Sequence, residues 1–258
     1  MTDPFRLGNK IFTSRFILGS GKFSLPLVRA VTEQGGAEMI TLALRRANPG
    51  GEENILGVIP PGVTLIPNTS GARDANEAVR IARLARALGC GDYVKVEIMR
   101  DTKYLLPENY ETVLACEMLV DKGFQVLPYV YPELATARAL VKAGAAAIMP
   151  LGAPIGSNKG LLTREFIQIL VEEIALPIIV DAGIGRPSHA CEAMELGAAA
   201  VMANTAVATA CDPAEMALAF KLAIEAGRRG YLAGPGRVLE RGGEASSPLT
   251  GFLEEEVI

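Results

Sequence analysis

The sequence of 258 residues contains no tryptophan and a single histidine, and aromatic residues make up only 5% of the chain. Few aromatic side chains are available to stack on bases or sugar rings, so nucleic-acid and carbohydrate platforms are not expected. The 25 basic and 29 acidic residues nearly balance, which also disfavours a nucleic-acid partner. Without a second histidine, neither a serine–histidine triad nor a histidine-based metal site is credible. His189 lies within a helical pattern and is expected at the surface or in the core.

Long apolar runs are also missing. Stretches such as 176–180 are far too short to span a bilayer, so no membrane association is expected. The first residues show no signal-peptide pattern, and we expect a cytoplasmic location. The four cysteines, none in a C-x-x-C pair, are expected to be buried, reduced thiols: Cys90, Cys116, Cys191 and Cys211.

Short apolar segments alternate with helical patterns along the chain. Strands are predicted at 15–19, 39–44, 64–67, 93–99, 125–130, 146–151, 177–181 and 199–204. Helices are predicted at 74–88, 110–122, 133–143, 163–174, 187–196 and 213–226. Asp74 suits an N-cap, and most of these helices are followed by a glycine. The alternation predicts parallel strands joined by right-handed crossovers.

Eight such units fit an α/β fold of the (β/α)₈ TIM-barrel type, with residues 1–258 forming one domain. The Gly/Ser/Pro-rich tail from about residue 234 is interpreted as a mobile extension or lid. An open doubly wound sheet is the alternative, because Gly19 and Gly21 follow the first strand. The dinucleotide fingerprint is incomplete, however, since Ser24 replaces its third glycine and no acidic residue ends the second strand.

The strand predicted at 93–99 (YVKVEIM) contains two candidate catalytic residues. Side chains alternate between the two faces of a strand, so the apolar set at 94, 96 and 98 is expected to pack on the helices. Lys95 and Glu97 must then point into the barrel, near the carboxyl end where barrel active sites lie. A buried lysine has a lowered pKa, and its neutral amine can form an imine with a carbonyl.

Glu97 is expected to raise the pKa of Lys95, because a nearby carboxylate favours the ammonium form. The sequence alone leaves open which effect is stronger, and it leaves Glu97 as either a proton shuttle or an ion-pair partner. A buried Lys–Glu pair without chemistry is less favoured, since such pairs rarely stabilise a fold.

Asp181 ends an apolar strand and is followed by Ala182 and Gly183. It can be interpreted equally well as a helix N-cap or as an acid/base group. The loops after strands seven and eight commonly hold phosphate in this fold, and backbone N–H groups at 181–185 and 204–206 could bind it. Two further polar or glycine-rich segments, 150–160 and 68–71, are expected at the same mouth.

Several strings resemble the thiazole synthase family of thiamin biosynthesis: PNTSGARDANEAVRIARLAR, YVKVEIM, MPLGAPIGS, PIIVDAGIGRPS and NTAVA. The resemblance runs from about residue 12 to 248. It implies an imine between Lys95 and the ketone of 1-deoxy-D-xylulose 5-phosphate, with Glu97 and Asp181 moving protons. It implies that the sugar phosphate is held by Gly156, Ala182, Gly183, Asn204 and Thr205.

The same resemblance implies the partners. Sulfur would come from the C-terminal thiocarboxylate of a ubiquitin-like sulfur-carrier protein, and a second enzyme would produce dehydroglycine. No metal and no cofactor are expected, and the family is typically a homotetramer. Two rival functions remain: another Schiff-base barrel, such as a phosphosugar aldolase or a pyridoxal-phosphate synthase subunit, and a non-catalytic phosphate-ligand binder on the same barrel.

Overall fold

The computed structural model describes residues 3–21, 23–47 and 54–242. Within these ranges a hairpin, β1 (Phe5–Leu7) and β2 (Lys10–Phe12), precedes an eight-stranded parallel sheet. The sheet strands are β3 (Phe16–Gly19), β4 (Met39–Ala43), β5 (Thr64–Asn68), β6 (Tyr93–Val96), β7 (Gln125–Val130), β8 (Met149–Pro150), β9 (Ile179–Val180) and β10 (Ala200–Ala203).

The helices described are α1 (Leu25–Gly35), α2 (Ala75–Ala87), α3 (Asn109–Val120), α4 (Leu134–Lys142), α5 (Arg164–Glu173), α6 (Pro187–Glu195), α7 (Thr205–Ala208) and α8 (Pro213–Ala233). Two short 3₁₀ turns, Leu44–Ala47 and Ile55–Gly57, follow β4. No helix among the described residues combines the length and apolarity needed to cross a bilayer.

The sheet closes on itself as a barrel. Its strand order is β8-β7-β6-β5-β4-β3-β10-β9, and β8 and β9 meet through a parallel bridge between Ile148 and Ile178. Backbone bonds continue that seam from Ile179 N to Ile148 O (2.9 Å) and from Asp181 N to Pro150 O (3.1 Å). The predicted (β/α)₈ barrel is therefore confirmed, and the open doubly wound sheet is wrong.

Two apolar layers form the core. The outer layer lies between the sheet and the helices and contains Val94, Val96 and Ile98 together with Cys116 and Leu119 of α3. The inner layer fills the barrel, and the hairpin closes its amino-terminal end by burying Phe5, Leu7 and Phe12 there. This alternation along β6 is the one that the sequence predicts, and it leaves position 95 facing inward.

Some predicted bounds differ from the structure. The helix predicted to end before Gly227 continues to Ala233, because that glycine packs against the Cys191 carbonyl of α6, where a Cβ would overlap it. The hairpin and α1 were not predicted. Strands of three residues carry too little periodicity to be recognised, and α1 had a detectable signal in its buried spacing at Val28, Val31 and Thr32.

Two further expectations concern the surface and the tail. Cys90 and Cys116 are buried as predicted. Cys191 on α6 is only partly buried, and Cys211 is exposed because it lies just before α8, so the prediction is wrong for these two. Positions 243–258 of the predicted lid lie outside the described residues.

Candidate active site

A cavity of about 300 Å³ opens at the carboxyl ends of the barrel strands, and we call it the mouth cavity. Its walls include Thr41, Asn68, Ser70, Lys95, Glu97, Met99, Leu105, Ile155, Gly156, Asn158, Asp181, Ala182, Gly183, Met202, Asn204 and Thr205. Every residue expected from the sequence to act in catalysis or phosphate binding therefore borders one cavity. A larger cavity of about 460 Å³ lies at the opposite end, where Arg15 and Arg228 clamp Asp3, and it contains none of those residues.

Lys95 lies between two carboxylates at the base of the mouth cavity. Its Nζ is 2.6 Å from Asp181 Oδ2 and 3.0 Å from Glu97 Oε1. All three residues are buried, with at most 6% of their surface exposed. Because Asp181 pairs with Lys95, and Arg186 holds the N-cap position of α6, the N-cap interpretation of Asp181 is wrong.

Local structure explains why these groups meet. β6 directs Lys95 and Glu97 to the interior side, since their neighbours Val94 and Val96 pack outward under the helices. Thr69 fixes the backbone at Glu97, because its hydroxyl donates to the Glu97 carbonyl (2.9 Å) and accepts from the Glu97 N–H (2.9 Å). Asp181 reaches the same point because β9 ends one residue earlier, across the barrel.

Opposing effects set the pKa of Lys95. Burial lowers the pKa of the amine, but the charges of Asp181 and Glu97 raise it further than burial lowers it, so the net shift is upward. The sequence left open whether burial or the nearby carboxylates have the larger effect on the pKa of Lys95. The carboxylates do, so the resting side chain is an ammonium.

The pKa of Asp181 is also raised. Burial is the main cause and the Glu97 charge adds to it, while attraction to Lys95 opposes both. A carboxylate with a raised pKa is a stronger base than an exposed one. Asp181 is therefore well suited to accept the proton that Lys95 must lose before its amine can attack a carbonyl.

Two further side chains surround the amine and were not singled out from the sequence. Met202 Sδ lies 3.4 Å from Lys95 Nζ, and the ring centre of Tyr129 lies 5.4 Å from it. Both are inward positions, on β10 and β7. The same alternation rule that finds Lys95 would have found them, but apolar and aromatic side chains inside a barrel are usually only packing.

The loops after β8 and β9 are held together tightly. Gly152 N and Ala153 N both donate to the Ala182 carbonyl, at 3.0 and 3.1 Å, and Gly160 N donates to the Gly183 carbonyl at 2.8 Å. Gly183 has a φ of 89°, and a side chain there would overlap Ala153. These contacts explain why the two segments are rich in glycine.

Several polar groups lie in or beside the loops around the cavity. The side-chain oxygens of Ser157 and Asn204 are buried and have no hydrogen-bond partner among the residues the structure describes. Gly19, the last residue of β3, lies directly against Asn204, where a Cβ would overlap it, so this glycine makes room for Asn204. His189 Nδ1 accepts from Gly185 N (3.3 Å), which gives the single histidine a structural role in these loops.

Over the described ranges, no group of three or more histidine, cysteine, aspartate or glutamate side chains is arranged to hold a metal ion.

Comparison with known proteins gives close relatives. The model of the family described as Thiazole biosynthesis protein ThiG matches residues 6–248. A thiazole synthase of Clostridium beijerinckii is 70% identical over 253 residues, which cover 98% of this chain and 99% of the relative. A thiazole synthase of Fusobacterium nucleatum is 64% identical over 253 residues, covering 98% of each chain.

Solved structures agree with the fold. The crystal structure of an Amycolatopsis orientalis BexX/CysO complex aligns with a TM-score of 0.83 and 34% identity, over 93% of this chain and 100% of that chain. A thiamine phosphate pyrophosphorylase from Pyrococcus furiosus aligns with a TM-score of 0.58 and 17% identity, over 82% and 95% of the two chains. At that identity the second comparison supports the barrel fold alone.

Proposed function

Since this chain belongs to the family of thiazole biosynthesis proteins named ThiG, we propose that its mouth cavity assembles the thiazole phosphate on an imine of Lys95. Family membership makes the chain an enzyme, a thiazole synthase of thiamin biosynthesis. The proposal concerns how it works: its substrates are 1-deoxy-D-xylulose 5-phosphate, dehydroglycine and the thiocarboxylate of a ubiquitin-like sulfur carrier. The observation that carries it is the buried amine of Lys95 held between Glu97 and Asp181.

The first step is formation of the imine. Asp181 takes a proton from the Lys95 ammonium, across the 2.6 Å contact between them, and frees a neutral amine. The amine adds to the ketone carbon at C2 of the sugar phosphate. The resulting hydroxyl leaves as water after it receives a proton from Asp181, and a protonated imine remains.

The next steps move the carbonyl along the sugar. Loss of the proton on C3 to a carboxylate gives an enamine, and its rearrangement places a carbonyl at C3. Glu97 and Asp181 both lie beside the amine and are the groups proposed to accept and return these protons. The thiocarboxylate sulfur then adds to C3, and its acyl group passes to the C3 oxygen, so that the carrier leaves as an ordinary carboxylate and sulfur remains on C3. The sulfur adds to the imine carbon of dehydroglycine, and the dehydroglycine nitrogen replaces the Lys95 amine at C2, which frees the lysine. Loss of the C4 hydroxyl as water completes the thiazole.

The phosphate is proposed to lie against Gly156, Ala182, Gly183, Asn204 and Thr205. All five border the mouth cavity, on the loops after β8, β9 and β10. The unpartnered amide oxygen of Asn204, within the part of the chain described, is a free acceptor for a substrate hydroxyl beside them. Lys95 lies at the base of the same cavity, so the sugar would extend from its amine toward these loops.

The protein partners are proposed on two grounds. The resemblance to thiazole synthases implies a sulfur-carrier protein and a separate enzyme that produces dehydroglycine. The BexX structure was determined as a complex with a second protein, CysO, which supports docking of a protein on a barrel of this kind. We further propose a homotetramer in the cytoplasm, as is typical of the family.

Reconstitution tests this function. We expect the purified protein to form the thiazole phosphate, detected by liquid chromatography and mass spectrometry, only when all three substrates are present. A carrier that ends in an ordinary carboxylate should give none. Lys95→Arg keeps a cation between the two carboxylates but cannot form an imine, and it should give no product while remaining folded.

The same assay distinguishes the rival functions. A different Schiff-base barrel would form an imine with a sugar phosphate but would have no need for the carrier. A non-catalytic binder would bind the sugar phosphate equally well after Lys95→Ala. Absence of thiazole with all three substrates present would refute the assignment of these substrates.

A further inference from the structure

One buried hydroxyl beside the catalytic groups has no role in the mechanism above. Tyr129 is the fifth residue of β7, it is 0% exposed, and it packs with Met99 and Ala182, which line the mouth cavity. Its hydroxyl has no hydrogen-bond partner among the residues that the structure describes. A buried hydroxyl without a partner is unfavourable and therefore calls for an explanation.

Tyr93 provides a contrast within the same barrel. It also points inward, nearer the amino-terminal end of the barrel, since it pairs with Gln125, four residues before Tyr129, and its hydroxyl is fully engaged. That hydroxyl lies 2.7 Å from the Leu7 carbonyl and 3.0 Å from Asn9 Oδ1. The fold can thus satisfy an interior phenol, and at position 129 it does not.

Strand register places Tyr129 beside the catalytic groups. Val96 of β6 pairs with Pro128 of β7, so the next residue on each strand, Glu97 and Tyr129, are neighbours across the sheet. The ring centre of Tyr129 is also 5.4 Å from Lys95 Nζ. In the resting protein, the Glu97 carboxylate forms an ion pair with the Lys95 ammonium, with 3.0 Å between Oε1 and Nζ.

The phenol keeps its proton in this environment. Burial raises the pKa of Tyr129, and the charges of Asp181 and Glu97 raise it further. It is therefore a hydrogen-bond donor and not an acid. The carboxylates, by contrast, lose their cation whenever Lys95 becomes a neutral amine or an enamine, and one of them then remains charged in a dry site.

We propose that Tyr129 is a positioning residue whose hydroxyl donates a hydrogen bond to the Glu97 carboxylate during the steps in which Lys95 carries no positive charge. This inference rests on the proposed imine mechanism. No proton leaves Tyr129: the hydrogen bond stabilises the charged form of Glu97 while Asp181 holds the transferred proton. The hydroxyl is unpartnered in the resting protein because its acceptor is then engaged with the ammonium.

The test compares Tyr129→Phe with Tyr93→Phe, the same substitution at an interior tyrosine whose hydroxyl has partners. Tyr129→Phe removes an oxygen that has no partner at rest, so its melting temperature should equal or exceed that of the parent. Its kcat for thiazole formation should fall about tenfold, the size expected for one hydrogen bond to a charged group. KM should stay within about twofold of the parent value, because the side chain does not reach the substrate.

The pH profile gives the specific readout. Loss of a donor to the charged form raises the pKa of a carboxylate, so the acidic limb of kcat should move to higher pH by about one unit. Tyr93→Phe should lower the melting temperature, because its hydroxyl has hydrogen-bond partners, and it should leave the acidic limb of the kcat profile unchanged.

Three results would overturn the inference: a profile for Tyr129→Phe that coincides with the parent's, a loss confined to KM, or a melting temperature below the parent's. The last would reveal a structural partner for the hydroxyl. If the parent itself makes no thiazole, the proposed function fails. If the parent is active and Tyr129→Phe behaves like it, only the role of Tyr129 fails.

Discussion

At the scale of single residues, the buried group of Lys95, Glu97 and Asp181 carries one positive and two negative charges. An isolated buried ion pair contributes little to stability, and removal of one partner costs about 3–5 kcal/mol because the other charge is left unpaired. Such an arrangement is hard to explain by stability alone. It is well explained by a reaction in which the same proton moves repeatedly between an amine and two carboxylates.

Neutral substitutions of the two carboxylates should separate their roles. Glu97→Gln should still form the imine but should slow the later proton transfers, with a loss in turnover of about 10²-fold. Asp181→Asn cannot take the proton from the ammonium, so imine formation itself should be slow. Rapid-quench measurement of imine formation and of product formation distinguishes the two.

Glu172→Gln, an exposed glutamate on α5, is the matched control and should behave like the parent. If Glu97→Gln turns over at the parent rate, Glu97 does not act as a proton shuttle. An unchanged rate of imine formation in Asp181→Asn would show that Asp181 does not accept the proton from the Lys95 ammonium.

At the scale of elements, capping and packing fix the ends of the helices. Asp74 Oδ1 accepts from Glu77 N at 2.9 Å, and the Glu77 carboxylate accepts from Arg73 N at 2.9 Å. These two bonds satisfy free N–H groups at the start of α2, whose amino terminus follows the loop that carries Ser70 into the mouth cavity. The cap therefore stabilises both the helix and the rim of the site.

Asp74→Ala should destabilise the protein by about 1 kcal/mol, measured by urea unfolding, because one helix N–H loses its acceptor. Glu108→Ala is the matched comparison, since Glu108 occupies the N-cap position of α3 without a side-chain capping bond. A similar loss in both variants would show that the capping bond of Asp74 contributes nothing of its own.

The sequence predicts elements best where a local rule acts alone. The Asp74 cap and the inward face of β6 follow from local rules, and both are present in the structure. The continuation of α8 past Gly227 is a tertiary effect, because the glycine is needed for the contact with α6. The local pattern of a helix followed by a glycine could not distinguish Gly227 from a glycine that ends a helix.

At the scale of the whole molecule, the barrel brings together residues that are distant in sequence. Alternation predicts that Lys95 faces inward, but its contact with Asp181 depends on how β6 and β9 lie across the closed sheet. The upward shift in the pKa of Lys95 depends on the same contact. The direction of the side chain was thus available from the sequence, and its electrostatic state was not.

The role of Lys95 as the imine-forming residue is the central claim, and reductive trapping tests it most directly. The protein is incubated with 1-deoxy-D-xylulose 5-phosphate and borohydride, digested, and mapped by mass spectrometry. The account predicts a single sugar-phosphate adduct on the peptide that contains Lys95, and no adduct in Lys95→Arg. An unmodified protein, or an adduct on another lysine such as the exposed Lys159, would contradict it.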